Sequence, residues 1–439
     1  MTSETSERPA AAARTGPTAG ERMTSRERLR LVLVLGFLTA SGPLTVDLYL
    51  PALPAITTDL MTTAASVQLT LTGMLAGLAL GQLFVGPVAD AVGRRTPLLA
   101  GIALHVVASV LCVVAPNIAV LGVLRVLQGL GCAAATVVAM AIVRDLFVGH
   151  AAARLLSRLM LVMGAAPILA PTVGGLVLGV TSWRSIFGLL AVYGVAILLV
   201  TARLLPETLP VTARRNGGVR GTVRDYGRLL TDRVYVGLIL VTGLALSANF
   251  AYIAGSSFVF QEQYGLSEQQ FGLVFGAGAI GLVGATQVNV QLLRRFTPAQ
   301  ILTGAVAGGA IAGLLVLLCA TTGLGGLPAL VVALWLVLAA AGLAVPNAPA
   351  LALSRHGEAA GTAAALLGAV QFGIGAIAAP LVGVLGAGAV AMGLVITGAL
   401  LAAGAVLLLV VRPWRPTAAP PAATDALTFD PKNHREERR

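Results

Sequence analysis

Lysine is all but missing from this chain. Lys432 is the only one, and the other 28 basic residues are arginines. A phosphate-cradling P-loop needs Gly-Lys followed by Ser or Thr, whereas Lys432 lies between Pro431 and Asn433, so nucleotide hydrolysis of that kind is excluded. Charge of either sign is scarce. Charged residues make up 11% and hydrophobic residues 57% of 439 positions, against roughly 25% and 45–50% in soluble domains. A water-solvated surface cannot be built from so little charge. The three cysteines, Cys112, Cys132 and Cys319, all fall inside apolar runs and read as small packing residues, not as disulfides or metal ligands. The four histidines are far apart and form no His-Glu-x-x-His, so no metal site and no other cofactor is expected. The net charge of +11 does not make a nucleic-acid binder, because the arginines are scattered between apolar runs with no basic stripe carrying interleaved aromatics.

What remains is a membrane protein. Apolar runs fall at about 31–50, 67–89, 97–115, 118–143, 157–180 and 185–204, then at 234–260, 270–291, 300–320, 328–352, 360–384 and 389–411. Each suits a helix crossing roughly 30 Å of hydrocarbon, and only helices or closed barrels satisfy their backbone in lipid. The expected fold is therefore an all-α membrane protein of twelve transmembrane helices. Its organisation reads as a disordered N-tail (1–30), a six-helix lobe (31–204), a linker (205–233), a second six-helix lobe (234–411) and a disordered C-tail (412–439). A signal peptide does not fit the first run, which is too long and holds Pro43 and Asp47. With the amino end inside, 27 of the 29 basic residues lie on that face, Arg184 lies on the other and Arg125 within the membrane. The bias places both termini in the cytoplasm. The linker segment Thr222–Leu230 reads as a helix on the inner leaflet or as a plain solvated connection.

The halves echo each other. Gly81 returns as Gly281, and Arg94-Arg95 as Arg294-Arg295, at an offset of 200. Two six-span halves in the same orientation form a parallel repeat, an arrangement in which transporters bind substrate between the halves near the midplane.

Few polar residues break the apolar runs. Asp47 lies 17 residues beyond Arg30, about 25 Å into the membrane, either as an interfacial helix cap or as a proton-titrating group. Arg125 in the fourth span either snorkels to the surface or occupies a polar crevice with Gln128. As the two opposite charges of that lobe, Asp47 and Arg125 are the expected pair. The turn Gly86-Pro87-Val88-Ala89-Asp90-Ala91-Val92-Gly93-Arg94-Arg95 allows a tight reversal, with Asp90 placed to reach an arginine or a helix N-terminus. In the fifth span Pro167 and Pro171 remove backbone hydrogen bonds, while Gly164, Gly174 and Gly175 allow close packing. Cavity candidates are Tyr49, Gln128, Asn249, Tyr252, Asn347, Gln371 and Phe372. For the polar residues of the second half, Asn289 and Gln287 included, hydrogen bonding between helices is an equal alternative.

These segments resemble the major facilitator superfamily, and within it the drug:proton antiporters of the bicyclomycin- and chloramphenicol-resistance branch. Gly86, Asp90, Gly93, Arg94 and Arg95 match the family's loop motif, and Arg125, Gln128, Gly129 and Gly131 its span-four motif. Gly164, Pro167, Pro171, Gly174 and Gly175 resemble its antiporter motif, although the usual Gly-Pro pair stands here as Ala170-Pro171. Asp47-Leu48-Tyr49-Leu50-Pro51, Leu205-Pro206-Glu207-Thr208 and Pro346-Asn347-Ala348 look like the narrower branch. The resemblance spans roughly residues 30–411. It implies a proton-coupled exporter of small amphipathic drugs in a bacterial inner membrane, driven by the proton gradient, with Asp47 and Arg125 in coupling and the loop and span-five motifs in gating. A monomer is expected. Some members carry a second acidic residue two turns before Asp47, where this chain has Thr39. A symporter or facilitator for a sugar or metabolite is the alternative. An intramembrane enzyme lacks any nucleophile or metal constellation.

Overall fold

The computed structural model describes residues 23–214, 218–356 and 359–412. Among them are twelve helical segments long and apolar enough to cross a membrane. The first half contains α1 (Ser25–Asp47), α2 (Leu53–Asp59), α3 (Ala64–Val92), α4 (Arg95–Val113), α5 (Ile118–Leu146), α6 (Gly149–Leu178) and α7 (Arg184–Leu204). A connecting helix α8 (Gly218–Thr231) leads to α9 (Arg233–Ser257), α10 (Glu268–Leu292), α11 (Pro298–Thr322), α12 (Gly326–Leu353), α13 (Ala360–Val384) and α14 (Ala389–Val406).

Local chemistry moves two expected boundaries. The tail expected to be disordered through residue 30 is helical from Ser25, because Thr24 and Glu27 form a capping box that satisfies the first free N–H groups. Residues 1–22 and 413–439, where the rest of the expected tails fall, lie outside the described residues. The first crossing segment runs to Asp59. At Tyr49 the α-helix gives way to a 3₁₀ turn (Leu50–Ala52) and then α2, with Pro51 and Pro54 each in the first turn of its element, where a missing N–H costs nothing.

Helices α1 to α7 pack on one another, as do α9 to α14, and the halves meet chiefly where α3 lies against α13 and α6 against α10. Small residues set the closest approach inside the first half. A side chain at Gly77 of α3 would meet the Val126 carbonyl of α5, and one at Gly129 of α5 would meet the Met74 carbonyl of α3. The sequence echo is one of topology. Gly81 packs on Ala133, but Gly281 faces open space.

The contacts between halves are unequal along the molecule. At the end away from the arginine-rich turns, Gln68 Nε2 donates to Ala254 O (3.0 Å), Ser257 Oγ to Leu50 O (2.6 Å) and Gln261 Nε2 to Pro51 O (3.1 Å). Helices α6 and α10 stay in contact from Gly175 against Glu268 down to Gly164 against Val283. Beyond that point Met160, Leu161, Val288 and Val290 are exposed. At the arginine-rich end α8 lies against α3, α9 and α13. Its Tyr226 hydroxyl donates to the Leu83 carbonyl at 3.0 Å, and Leu229 is buried in the second half.

Candidate functional site

Arg125 is fully buried on α5 and does not reach Asp47. Its Nη1 donates to the Thr45 carbonyl (3.1 Å) and to Gln128 Oε1 (2.9 Å). Its guanidinium carbon lies 4.6 Å from the Tyr49 ring centre and 5.8 Å from that of Phe187 on α7. The ring faces return part of the hydration that burial removes. Gln128 Nε2 donates to Ser109 Oγ at 2.7 Å, and Ser109 in turn donates to the His105 carbonyl at 2.7 Å. Cys132 Sγ sits 3.5 Å from both Thr45 Oγ1 and His105 Nδ1. The Tyr49 hydroxyl shares a hydrogen bond with Thr70 of α3. Arg125 Nε and Nη2 and His105 Nε2 find no partner among the described residues.

The expected pairing of Asp47 with Arg125 is therefore corrected, and helix azimuth is the reason. Positions 45 and 49 lie about 40° apart around a helix, while 47 points roughly 200° from 45. Thr45 and Tyr49 thus share the face toward α5, and Asp47 is turned away from it. Asp47 is 3% exposed, and among the described residues no arginine or histidine forms an ion pair with it. It lies within electrostatic reach of Tyr252 on α9 in the other half. The Tyr252 hydroxyl has no partner among the described residues, and its ring stacks on Phe275 with centres 5.0 Å apart. Asp47 is thus buried near Tyr252, where the halves meet. Thr39, two turns earlier, is buried and donates only to the Gly36 carbonyl.

Helix α6 is wedged between Asp47's neighbourhood and the second half. A Cβ at Gly174 would collide with the Leu48 carbonyl, one residue past Asp47, and one at Gly175 would collide with the Glu268 carbonyl of α10. Gly164 faces Val283, and the Pro171 carbonyl lies beside Gly272. Pro167 and Pro171 both sit inside a helix that runs unbroken over Gly149–Leu178.

The loop motif forms a polar knot. Gly86 lies within α3 and takes no part in the reversal, which is made at Gly93 with φ +106°. Arg94 pairs with Asp90 one turn earlier and donates through Nε to Asp145 at the end of α5 (2.8 Å). Glu207, just beyond α7, accepts from the backbone N–H of Arg94 (2.8 Å), Arg95 (3.2 Å), Thr208 and Leu209. Burial opposes its charge, but those N–H groups outweigh it and hold the carboxyl below the usual glutamate range. Arg95 Nη2 donates to the Ala202 carbonyl at 2.7 Å. These contacts tie together the ends of α3, α4, α5 and α7. Sequence reasoning missed Asp145 and Glu207 as members of this knot. A carboxylate beside Arg144 at a span end, and the glutamate of Leu205-Pro206-Glu207-Thr208, were the available signals.

The cavity candidates divide. Tyr49 and Gln128 belong to the Arg125 network, and Tyr252 stacks on Phe275 near Asp47. Asn347 of α12 donates to Asn289 Oδ1 of α10 (2.6 Å) and to the Leu343 carbonyl (2.7 Å), which makes it a tie between helices. Asn249 and Gln371 are half-buried on α9 and α13. The Phe372 ring centre lies 6.1 Å from that of Phe250.

The sequence profile of the Major Facilitator Superfamily matches residues 35–380. An uncharacterized MFS-type transporter of Bacillus subtilis, YdgK, is 39% identical over 360 residues, which are 82% of this chain and 89% of that protein. A bicyclomycin resistance protein homolog of Haemophilus influenzae is 29% identical over 346 residues, 79% and 87% of the two chains. The crystal structure of a D-xylose-proton symporter superposes with a TM-score of 0.67 at 17% identity, covering 85% of this chain and 96% of that one. That likeness is one of fold. Profile, relatives and twelve-helix architecture together make this chain a member of the major facilitator superfamily, a multi-pass membrane transporter akin to its drug:proton antiporters of the bicyclomycin-resistance branch.

Proposed function

We propose that this protein exports small amphipathic compounds across a bacterial inner membrane in exchange for protons, with the arginine-rich end in the cytoplasm. One observation carries the reading: Asp47 is buried at the junction of the halves, and among the described residues its side chain has neither a cation nor a hydrogen-bond donor as partner. An unpaired buried charge costs several kcal/mol, so these surroundings suit the neutral acid. Arg125 lies on the neighbouring helix with Nε and Nη2 uncommitted among the described residues. A rotation of α1 that turned Asp47 toward α5 would offer its anion those donors. The two arrangements would then hold Asp47 with and without its proton, and rocking of the halves would switch between them. A cationic drug between Tyr252 and Asp47 would compete with the proton.

The packing of α6 supports exchange over leak. Its Gly174 contact with α1 and Gly175 contact with α10 couple the Asp47 region to the seal between the halves. The bicyclomycin resistance homolog supports a drug as the transported class. Uptake of a panel of lipophilic cations into everted vesicles, driven by an imposed pH gradient, tests the proposal. Accumulation that collapses with a protonophore is expected. Failure of every compound to respond to the gradient, by a protein shown to be present and folded, would refute it.

A further inference from the structure

We propose that the first half carries a binding site for the phosphodiester headgroup of an anionic phospholipid, between the start of α1 and the start of α6. A cavity of about 120 Å³ opens there, lined by Arg28, Arg154 and Arg158 together with Val32, Phe147 and Leu155. A second, open depression adjoins it, with His150 and Ser157 beside the same two α6 arginines. Among the described residues no carboxylate lines either space.

The depth suits a headgroup. Helix α6 has 30 residues, so it is about 45 Å long, against roughly 30 Å of hydrocarbon. Its first turns must project into the headgroup layer, and Arg154 and Arg158 stand there one turn apart. Arg28 is in the first turn of α1. From it Leu29, Leu33 and Phe37 run along α1, each more than half exposed, as a surface for an acyl chain.

The charge balance points the same way. Two arginines at this end are neutralised by protein, Arg94 by Asp90 and Asp145 and Arg355 by Asp232. Among the described residues no carboxylate forms an ion pair with Arg154 or Arg158, and the bond recorded for Arg154 is Nε to the His150 carbonyl at 3.4 Å. Like charges one helical turn apart repel, and a phosphodiester between them removes the repulsion through charge-assisted forks. Basic pockets between membrane helices bind anionic headgroups on this principle. The apolar walls favour a lipid over free phosphate. The site is independent of which compound is transported, so its failure leaves the export proposal standing.

Native mass spectrometry of the detergent-purified full chain, titrated with phosphatidylglycerol and separately with phosphatidylcholine, tests it. The wild type should prefer phosphatidylglycerol. Arg154→Gln with Arg158→Gln should weaken the first phosphatidylglycerol by about fivefold per arginine removed and leave phosphatidylcholine unchanged. Arg294→Gln with Arg295→Gln removes equal charge at the α10–α11 turn of the second half, away from this cavity, and should keep the preference. Arg158→Lys, which keeps the charge but not the fork, should fall between. Three results would overturn the proposal: a preference that survives in the Arg154/Arg158 double variant, a loss of equal size in the Arg294/Arg295 control, or full displacement of the lipid by inorganic phosphate. An intact helical spectrum and a monodisperse elution profile separate lost binding from misfolding.

Discussion

Replacing Asp47 with asparagine keeps the size of the side chain and removes its exchangeable proton. Because no ion pair depends on Asp47, the variant should fold and elute as the wild type does, while gradient-driven transport falls to background. Binding of an uncharged substrate should persist. Full gradient-dependent efflux by Asp47→Asn would reduce Asp47 to a packing residue. Arg125 is different, since it holds up its surroundings. Arg125→Ala strands the Thr45 carbonyl and Gln128 Oε1 without donors, at a cost of about 2–3 kcal/mol, whereas Arg125→Lys restores a charge but not the planar fork. Both should lose transport, and thermal melting in detergent should rank wild type above lysine above alanine. A stable alanine variant with normal transport would contradict any coupling role.

At the scale of elements, α6 and the knot at Gly93 make separate predictions. A methyl group at Gly174 meets backbone rather than a movable side chain, so Gly174→Ala should already push α6 off α1 and cost about 1–3 kcal/mol. Gly281→Ala, in open space, should be silent. Export assays on both variants check this, and equal activity would show that the α6 contact is ordinary packing. In the knot, Glu207→Gln leaves four backbone N–H groups with a weaker acceptor, and a loss of about 1–2 kcal/mol is expected at neutral pH. Glu207 sits below its ordinary value, so its contribution is complete above the unfolded value of about 4.3 and fades as pH falls through the folded one. The gap between wild type and Glu207→Gln in melting temperature should therefore close on acidification. A gap that widened at low pH would mean another group is responsible.

For the whole molecule, hydropathy alone located twelve spans to within a few residues in most cases, because lipid forces each backbone to satisfy itself within its own helix. The first and fifth spans were the largest misses, the first running on through the Leu50–Ala52 turn to Asp59. Helix α6 begins at Gly149, eight residues before the apolar run does, since Arg154 and Arg158 lie on a helical turn that hydropathy discounts. The burial of Asp47 and Arg125 was also legible, because charges are too costly to occur idly in such runs. Their partners were not. Depth can be counted along a chain, but what a side chain faces depends on azimuth and on which helix packs there, and so Arg125 was matched to the wrong residue of α1. Asp145 and Glu207 converge on Arg94 from 51 and 113 residues away, a distance at which sequence alone gives no register. The halves are bonded to each other at the end remote from the arginines. Rocking must break the bonds from Gln68, Ser257 and Gln261, so Gln261→Ala should shift the population toward opening at that end, read as faster labelling of a cysteine placed at Leu50.

The most direct measurement of proton-coupled exchange through Asp47 is lumenal pH in proteoliposomes, followed with a trapped indicator while ethidium is added outside. Exchange of entering drug for leaving protons predicts an alkaline shift with wild type and none with Asp47→Asn. An acidic shift, the mark of symport, or an alkaline shift of equal size in the Asp47→Asn variant would contradict the account.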